Sequence, residues 1–137
     1  LNWSGGTLSG RGAITVASAG RLNITGAEDK FLDGAARLIN NSLNGSTWSG
    51  SGDVRASNGS QGLSSFINNG LFNIQTAAAW RDGNIVNNGT LNKSVVAGAQ
   101  AFNAVSGSFD NAGVFNINAG EVGLFGNGRE NAAKFLV

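Results

Sequence analysis

The sequence predicts an all-β protein, specifically a right-handed parallel β-helix (β-solenoid) of about six coils. Three observations predict this fold. Leu or Phe followed by Asn recurs along the chain at an interval of about 23 residues, Trp followed by a glycine-containing turn recurs three times, and apolar residues come in short pulses between Gly and Asn clusters. A repeat of this length with several apolar pulses is typical of one solenoid coil. The right hand follows from the usual crossover rule for parallel strands.

The recurring pair predicts two stacks that run along the solenoid. The apolar residue of each pair is expected to point inward, and this core stack is Leu1, Leu22, Leu43, Phe72, Leu91 and Phe115. The Asn that follows is expected at a bend or on the opposite face, where amide side chains of successive coils hydrogen-bond to one another. The predicted structural ladder is therefore Asn2, Asn23, Asn44, Asn73, Asn92 and Asn116. Coils about 4.8 Å apart would give a rod roughly 29 Å long.

The bends between strands are expected at Gly and Asn, because both residues tolerate positive φ. Asn-Gly pairs such as those beginning at Asn69 and Asn88 are turn signals, and in other folds they join antiparallel strands. An antiparallel β fold is therefore the alternative architecture. Recurrence of one motif at the same point of each repeat favours the solenoid.

Two segments depart from the repeat. Residues 27–39 place Phe31, Leu32, Ala35 and Leu38 at helical spacing, although Gly34 opposes a helix. A helical turn is the alternative there, and residues 130–137 are expected to form a short helix or a last strand.

The repeats resemble those of filamentous-haemagglutinin-like exoproteins and autotransporter passengers, whose β-helices read Asn-x-Gly-x-[Leu/Phe]-Asn with Gly/Ser/Thr-rich connections. The segments ending at Asn73, Asn92 and Asn116 carry that pattern, and Trp3 with the turn after it looks like the same type. The resemblance covers nearly the whole chain but describes architecture and not activity. It implies secretion to the cell exterior or surface, a structural spine and a role in adhesion.

Composition restricts the chemistry. The 137-residue chain has no His and no Cys, so Ser–His–Asp triads, Cys nucleophiles and typical zinc sites are absent. Its net charge of +1 gives no reason to expect nucleic acid, and no apolar run is long enough to cross a membrane. We expect no enzyme activity, no catalytic residue, no metal and no cofactor.

Two sets of side chains are candidates for a carbohydrate-binding or carbohydrate-active site. Asp33, Asp53 and Asp82 follow the repeat at similar offsets, and a stacked carboxylate row could divide acid and base roles or bind Ca²⁺. The simpler interpretation is a solvated turn whose charge Arg55 and Arg81 neutralise. The three tryptophans, Trp3, Trp48 and Trp80, are either a sugar-stacking platform or core packing.

Residues 1–137 are expected to form a single solenoid domain, either a segment of a longer secreted chain or a protomer that stacks on copies of itself. The predicted function is a structural or adhesive β-helix segment of a secreted bacterial surface protein. The alternatives are a filament subunit that stacks head to tail through uncapped ends, and a carbohydrate-binding or carbohydrate-active β-helix. The expected partners are other copies of the chain or cell-surface glycans. Specific recognition is expected at Arg129 with Glu130 and in residues 45–66.

Overall fold

The computed structural model describes residues 1–56, 62–94, 99–104, 107–126 and 134–136. Within these ranges the chain forms short β-strands and no helix. In chain order they are β1 (Asn2–Trp3), β2 (Gly6–Ser9), β3 (Ala13–Val16), β4 (Asn23–Ile24), β5 (Lys30–Asp33), β6 (Arg37–Asn40), β7 (Ser46–Trp48), β8 (Val54–Ala56), β9 (Ser65–Asn68), β10 (Leu71–Ile74), β11 (Trp80–Arg81), β12 (Asn84–Asn87), β13 (Thr90–Lys93), β14 (Ala99–Ala104), β15 (Phe109–Asn111), β16 (Val114–Ile117), β17 (Glu121–Gly126) and β18 (Lys134–Leu136).

The strands are arranged in three parallel sheets, and each complete coil contributes one strand to each sheet. Sheet A has the order β1-β4-β7-β10-β13-β16-β18, sheet B has β17-β14-β11-β8-β5-β2, and sheet C has β15-β12-β9-β6-β3. Five coils, from β1–β3 to β13–β15, have all three strands among the described residues. The prediction of an all-β parallel β-helix is confirmed, and the antiparallel alternative is wrong. The hand of the helix stays a prediction.

The core is the space that the three sheets enclose. Side chains alternate along each strand, as they must on a pleated sheet, so that β9 buries Phe66 and Asn68 and leaves its other residues partly exposed. An aromatic cluster joins the sheets at mid-height. The ring centroids of Trp48 on sheet A and Trp80 on sheet B are 6.1 Å apart, and the ring centroid of Phe66 on sheet C is 5.2 Å from that of Trp80. Edge-to-face and tilted pairs at these distances are the favoured aromatic geometries.

The helical alternative for residues 27–39 is wrong, because this segment forms β5 and β6. Gly34 and Ala35 between the two strands have φ of 68° and 64°, which turns the chain from sheet B to sheet C. A Cβ on Gly34 would lie 3.0 Å from the backbone nitrogen of Gly10 in the coil before it. The helical spacing of the apolar residues is thus a by-product of two strands joined by a tight corner. At the other end of the chain, Lys134–Leu136 form strand β18, so the strand alternative is confirmed for these residues. Residues 130–133 and 137 lie outside the described residues.

The predicted core stack needs correction at two positions. Phe72, Leu91 and Phe115 are Cα partners in sheet A and are buried, and Leu22 is also buried. Leu43 is 71% exposed, and Ser46 is the residue of its coil that pairs with Phe72. The corner before β7 is two residues longer than the next one, since six positions separate Asn40 from Ser46 and four separate Asn68 from Phe72. In this longer corner Ser42 Oγ donates to Gly20 O. Leu1, at the first coil, is 46% exposed.

Two lysines occupy inward positions. Lys30 and Lys93 are both fully shielded from solvent, and this burial lowers the pKa of each below the ordinary lysine value of 10.5. The Lys30 ammonium donates hydrogen bonds to Gly26 O at 3.2 Å and Glu28 O at 2.7 Å. The carboxylates of Asp29, Glu28 and Asp53 act in the opposite direction on the pKa of Lys30 without cancelling the effect of burial.

In the part of the chain that the structure describes, no helix is long and apolar enough to cross a membrane.

Replacement of Lys30 by Met tests the burial of this ammonium. The pKa of Lys30 is lower in the folded state, so between that value and 10.5 the unfolded state binds more protons and stability rises with pH. We therefore expect Lys30→Met to be more stable than the wild type at pH 7, and this advantage to shrink as the pH rises toward 10.5. Urea denaturation at a series of pH values measures the difference. The exposed Arg37 supplies the control variant Arg37→Met, whose effect should not change with pH. A difference in the free energy of unfolding between Lys30→Met and the wild type that stays constant with pH would contradict the burial of the Lys30 ammonium.

Candidate functional site

An asparagine row follows the outer face of sheet A, where the ladder was predicted. Asn23 Nδ2 donates to Asn2 Oδ1 at 2.9 Å, Asn92 Nδ2 to Asn73 Oδ1 at 3.0 Å, and Asn116 Nδ2 to Asn92 Oδ1 at 2.7 Å. The structure thus brings these five predicted ladder residues into one row.

Asn44 is not a member of this row, and its assignment to the ladder is wrong. Thr47 takes its place, paired with Asn23 on one side and Asn73 on the other, and Thr47 Oγ1 donates to Asn23 Oδ1 at 3.3 Å. Asn44 is exposed in the corner before β7 and donates from Nδ2 to Ala19 O at 3.0 Å. The physical reason is the long corner that also displaces Leu43.

A second asparagine ladder lies inside the protein, at the last position of the sheet C strands. Its members are Asn40, Asn68, Asn87 and Asn111, all at most 2% exposed. Asn40 Nδ2 donates to Asn68 Oδ1 at 2.8 Å, Asn68 Nδ2 to Asn87 Oδ1 at 2.8 Å, and Asn87 Nδ2 to Asn111 Oδ1 at 2.6 Å. We call this row the buried ladder. Sequence reasoning missed it, although the signal was present as an Asn directly before the turn residues in each of these coils.

The buried ladder also holds the corner from sheet C to sheet A. Asn68 Nδ2 donates to Gly70 O at 3.1 Å and Thr90 O at 3.2 Å, and Asn87 Nδ2 donates to Val114 O at 3.1 Å. At the corner between β6 and β7, Asn40 Oδ1 accepts from Ser46 Oγ at 2.8 Å. Asn40, Asn68 and Asn87 therefore each donate to the next asparagine of the ladder and to a backbone carbonyl just beyond the turn that follows it.

A third row runs beside the buried ladder on the protein surface. Asn69 Nδ2 donates to Asn41 Oδ1 at 2.8 Å, and Asn88 Nδ2 donates to Asn69 Oδ1 at 2.9 Å. Neighbouring asparagines in one turn thus belong to two ladders, one buried and one exposed. This gives a matched pair of positions for testing what burial contributes.

Replacement of Asn68 by Ala should lower the free energy of unfolding by about 3 kcal/mol, because it removes the acceptor at 2.8 Å from Asn40 Nδ2 and the donor to Asn87 Oδ1 in the core. Asn69→Ala removes the same side chain from the exposed row and should cost less than about 1 kcal/mol. Urea denaturation followed by circular dichroism measures both values. Equal small losses at the two positions would show that the buried ladder does not hold the coils together.

The three tryptophans are core residues, so the sugar-platform alternative is wrong. Trp3, Trp48 and Trp80 are at most 3% exposed. Trp3 and Trp48 end strands β1 and β7 of sheet A, and Trp80 begins strand β11 of sheet B. None of the three presents a face to a ligand.

The predicted carboxylate row does not form. Asp53 precedes β8, Asp33 ends β5, and Asp82 follows β11 with φ of 58°, so the three carboxylates occupy different register positions. The offsets were counted from the asparagine pairs, and corners of different lengths between strands shift the register. The neighbour of Asp53 in its row is Asp29, whose Oδ1 accepts from the Asp53 backbone N–H at 3.0 Å.

Asp29, Asp53, Arg55 and Arg81 form a charged lattice on the outer face of sheet B. Arg55 Nε lies 2.7 Å from Asp29 Oδ2, and Arg81 Nε lies 2.6 Å from Asp53 Oδ2. Asp53 Oδ1 also accepts from the Ala79 backbone N–H at 2.8 Å. The hydrogen bond from Arg55 lowers the pKa of Asp29, and the hydrogen bond to Asp53 raises the pKa of Arg81. Each carboxylate is thus engaged with the guanidinium and the backbone of the next coil, which is a structural role.

A shallow depression of about 240 Å³ opens beside this lattice, lined by Thr7, Phe31, Leu32, Asp33, Arg55 and Ala56. Thr7, Phe31 and Arg55 are Cα partners on β2, β5 and β8, so they lie side by side in one outward row. Phe31 is 43% exposed, which is unusual for an aromatic ring in this protein. The lining of this depression includes an exposed aromatic ring, a carboxylate and a guanidinium.

The remaining predicted recognition sites are only partly described. Arg129 and Glu130 lie outside the described residues, as do residues 57–61 of the 45–66 segment. The described part of that segment contributes β7, β8 and the first residues of β9 to the three sheets. Across the residues that the structure describes, no three His, Cys, Asp or Glu side chains gather as metal ligands.

Comparison of the chain with protein-family models, with curated proteins and with solved structures finds no match.

Proposed function

We propose that this chain is a structural segment of a secreted bacterial surface protein, a β-helical spine whose outer faces take part in adhesion. The observation that carries the proposal is the buried ladder from Asn40 to Asn111, which links successive coils through the core. A protein held together in this way along its axis transmits load from coil to coil and presents long, regular faces.

The outer surface supports an adhesive role for these faces. The asparagine row of sheet A and the charged lattice of sheet B repeat a polar group at the spacing of the coils. Such arrays suit repeated weak contacts with a glycan or protein surface, in which several contacts together give useful avidity. The secreted and bacterial parts of the proposal rest on the resemblance of the segments ending at Asn73, Asn92 and Asn116 to exoprotein repeats.

Cell adhesion tests the adhesive part. Beads coated with the folded chain should bind to cultured epithelial cells several-fold more than beads coated with albumin or with the urea-unfolded chain. The regular faces exist only in the folded state, so unfolding should abolish the binding. Adhesion equal to that of the albumin beads would contradict an adhesive role.

Two further measurements separate the alternatives. Incubation with a panel of polysaccharides, followed by assay of new reducing ends, should show no turnover, and sustained release of sugar would contradict a structural role. Electron microscopy over a concentration series should show separate particles. Long uniform fibres would instead support the alternative in which copies stack head to tail.

A further inference from the structure

We infer that the depression on sheet B binds a neutral pyranose, the terminal ring of a hexose-containing glycan, with Phe31 as its stacking surface. The inference deepens the proposed adhesive function by naming a ligand class, and its biological role rests on that proposal. Binding itself depends only on the geometry of β2, β5 and β8.

The outward row of sheet B changes character at Phe31. In the two following coils the equivalent position is Arg55 and then Arg81, and each guanidinium pairs with a carboxylate of the preceding coil. Phe31 lies in the row next to Thr7, and the coil before it carries Gly5 where the later coils carry Asp29 and Asp53. The charged lattice therefore ends at Arg55, and an apolar ring continues the row.

The ring of Phe31 is exposed although the strand has inward positions for apolar side chains. Lys30 and Leu32, its neighbours along β5, are both fully buried, whereas Phe31 is 43% exposed. Exposed aromatic faces contribute little to folding and are a common feature of binding surfaces. The apolar C–H face of a pyranose is a suitable partner for such a face.

Polar groups flank the ring at the positions that sugar hydroxyls require. Arg55 lies directly beside Phe31, and its guanidinium has five N–H donors, of which Nε and Nη2 face Asp29 and Asp53. The Arg55 side chain is 46% exposed, so donors remain accessible to a ligand. Asp33, two residues after Phe31 on the same face, is exposed, and its Oδ1 accepts from the Gly34 N–H at 2.7 Å.

The charges that line the depression are compatible with a neutral ligand. One carboxylate, of Asp33, and one guanidinium, of Arg55, line it. These two charges balance, so the lining gives no electrostatic preference for a uronic or sialic acid over a neutral ring. The volume of about 240 Å³ is below the roughly 300–1,000 Å³ of sites for drug-sized ligands, so one ring fills it.

The test is an NMR titration of the ¹⁵N-labelled chain with the methyl glycosides of mannose, galactose and glucose, and with methyl glucuronide. At least one neutral glycoside should shift the amide signals of Thr7, Phe31 and Arg55, with a dissociation constant on the order of millimolar. Methyl glucuronide should bind no more tightly than the neutral glycosides, because the lining carries no net positive charge. No shift at about 50 mM of any neutral glycoside, shifts confined to other residues, or tighter binding of the glucuronide would each overturn the inference.

Variants identify the stacking surface. Phe31→Ala should weaken binding about tenfold, as expected for the loss of one aromatic contact, and Phe31→Trp should retain it. The control is Leu43→Ala, which removes another exposed apolar side chain, 71% exposed and remote from sheet B. Unchanged thermal unfolding of Phe31→Ala establishes that the fold is intact, and unchanged binding by that folded variant would overturn the role of the ring.

The outcomes separate this inference from the proposed function. If no glycoside binds but coated beads still adhere to cells, the adhesive function stands without this site. If glycosides bind at Phe31 but the beads do not adhere, the sugar site stands and the adhesive role fails.

Discussion

The hydrogen bonds of the buried ladder are the constraint on which the rest of this structure depends. Four asparagine amides lie in the core at positions where water cannot reach them. Buried polar groups are costly unless they are hydrogen-bonded, and these amides find their partners in the coils before and after them. A shift of one residue in β6, β9, β12 or β15 would turn a ladder asparagine outward and remove a hydrogen-bond partner from its neighbours in the ladder. The ladder therefore fixes the register of the coils, while the apolar stacks around it supply most of the burial.

The corner beside the ladder shows how closely the coils must approach. Gly70, Gly89 and Gly113 lie above one another at the turn from sheet C to sheet A, and a Cβ on any of them would collide with the backbone of the preceding coil. The Gly70 and Gly89 N–H groups donate to Asn40 O and Asn68 O at 3.1 and 3.0 Å. The repeated Asn-Gly element is thus one unit that contains an inward-pointing amide, an outward-pointing amide and a glycine. These residues let the chain turn tightly enough for successive coils to stack.

The charged lattice on sheet B adds contacts between neighbouring coils. It is partly exposed to solvent, so it adds less to stability than the buried ladder does.

Much of the architecture could be predicted from the sequence, because period and composition are properties of the whole chain. The solenoid, the parallel strands and the row containing Asn73, Asn92 and Asn116 follow from the repeat alone. Details that depend on corner length could not be predicted. Leu43 with Asn44 looks identical to Leu22 with Asn23, and only the fold around Ser42 shows that the strand begins later. Adjacent asparagines such as Asn68 and Asn69 give no sign of which is inside. The depression at Phe31 was missed because the helical spacing of residues 27–39 concealed the alternation of two short strands.

The buried ladder can be observed through nuclear Overhauser contacts of the asparagine side chains. We expect contacts between the side-chain amide protons of Asn68 and those of Asn40 and Asn87, residues 28 and 19 positions away in the chain. These amide protons should also exchange slowly with solvent, unlike those of Asn69 on the surface. Contacts of Asn68 only with near neighbours in sequence, or a pattern that joins β9 to β10 as an antiparallel hairpin, would contradict the stacked coils and the buried ladder.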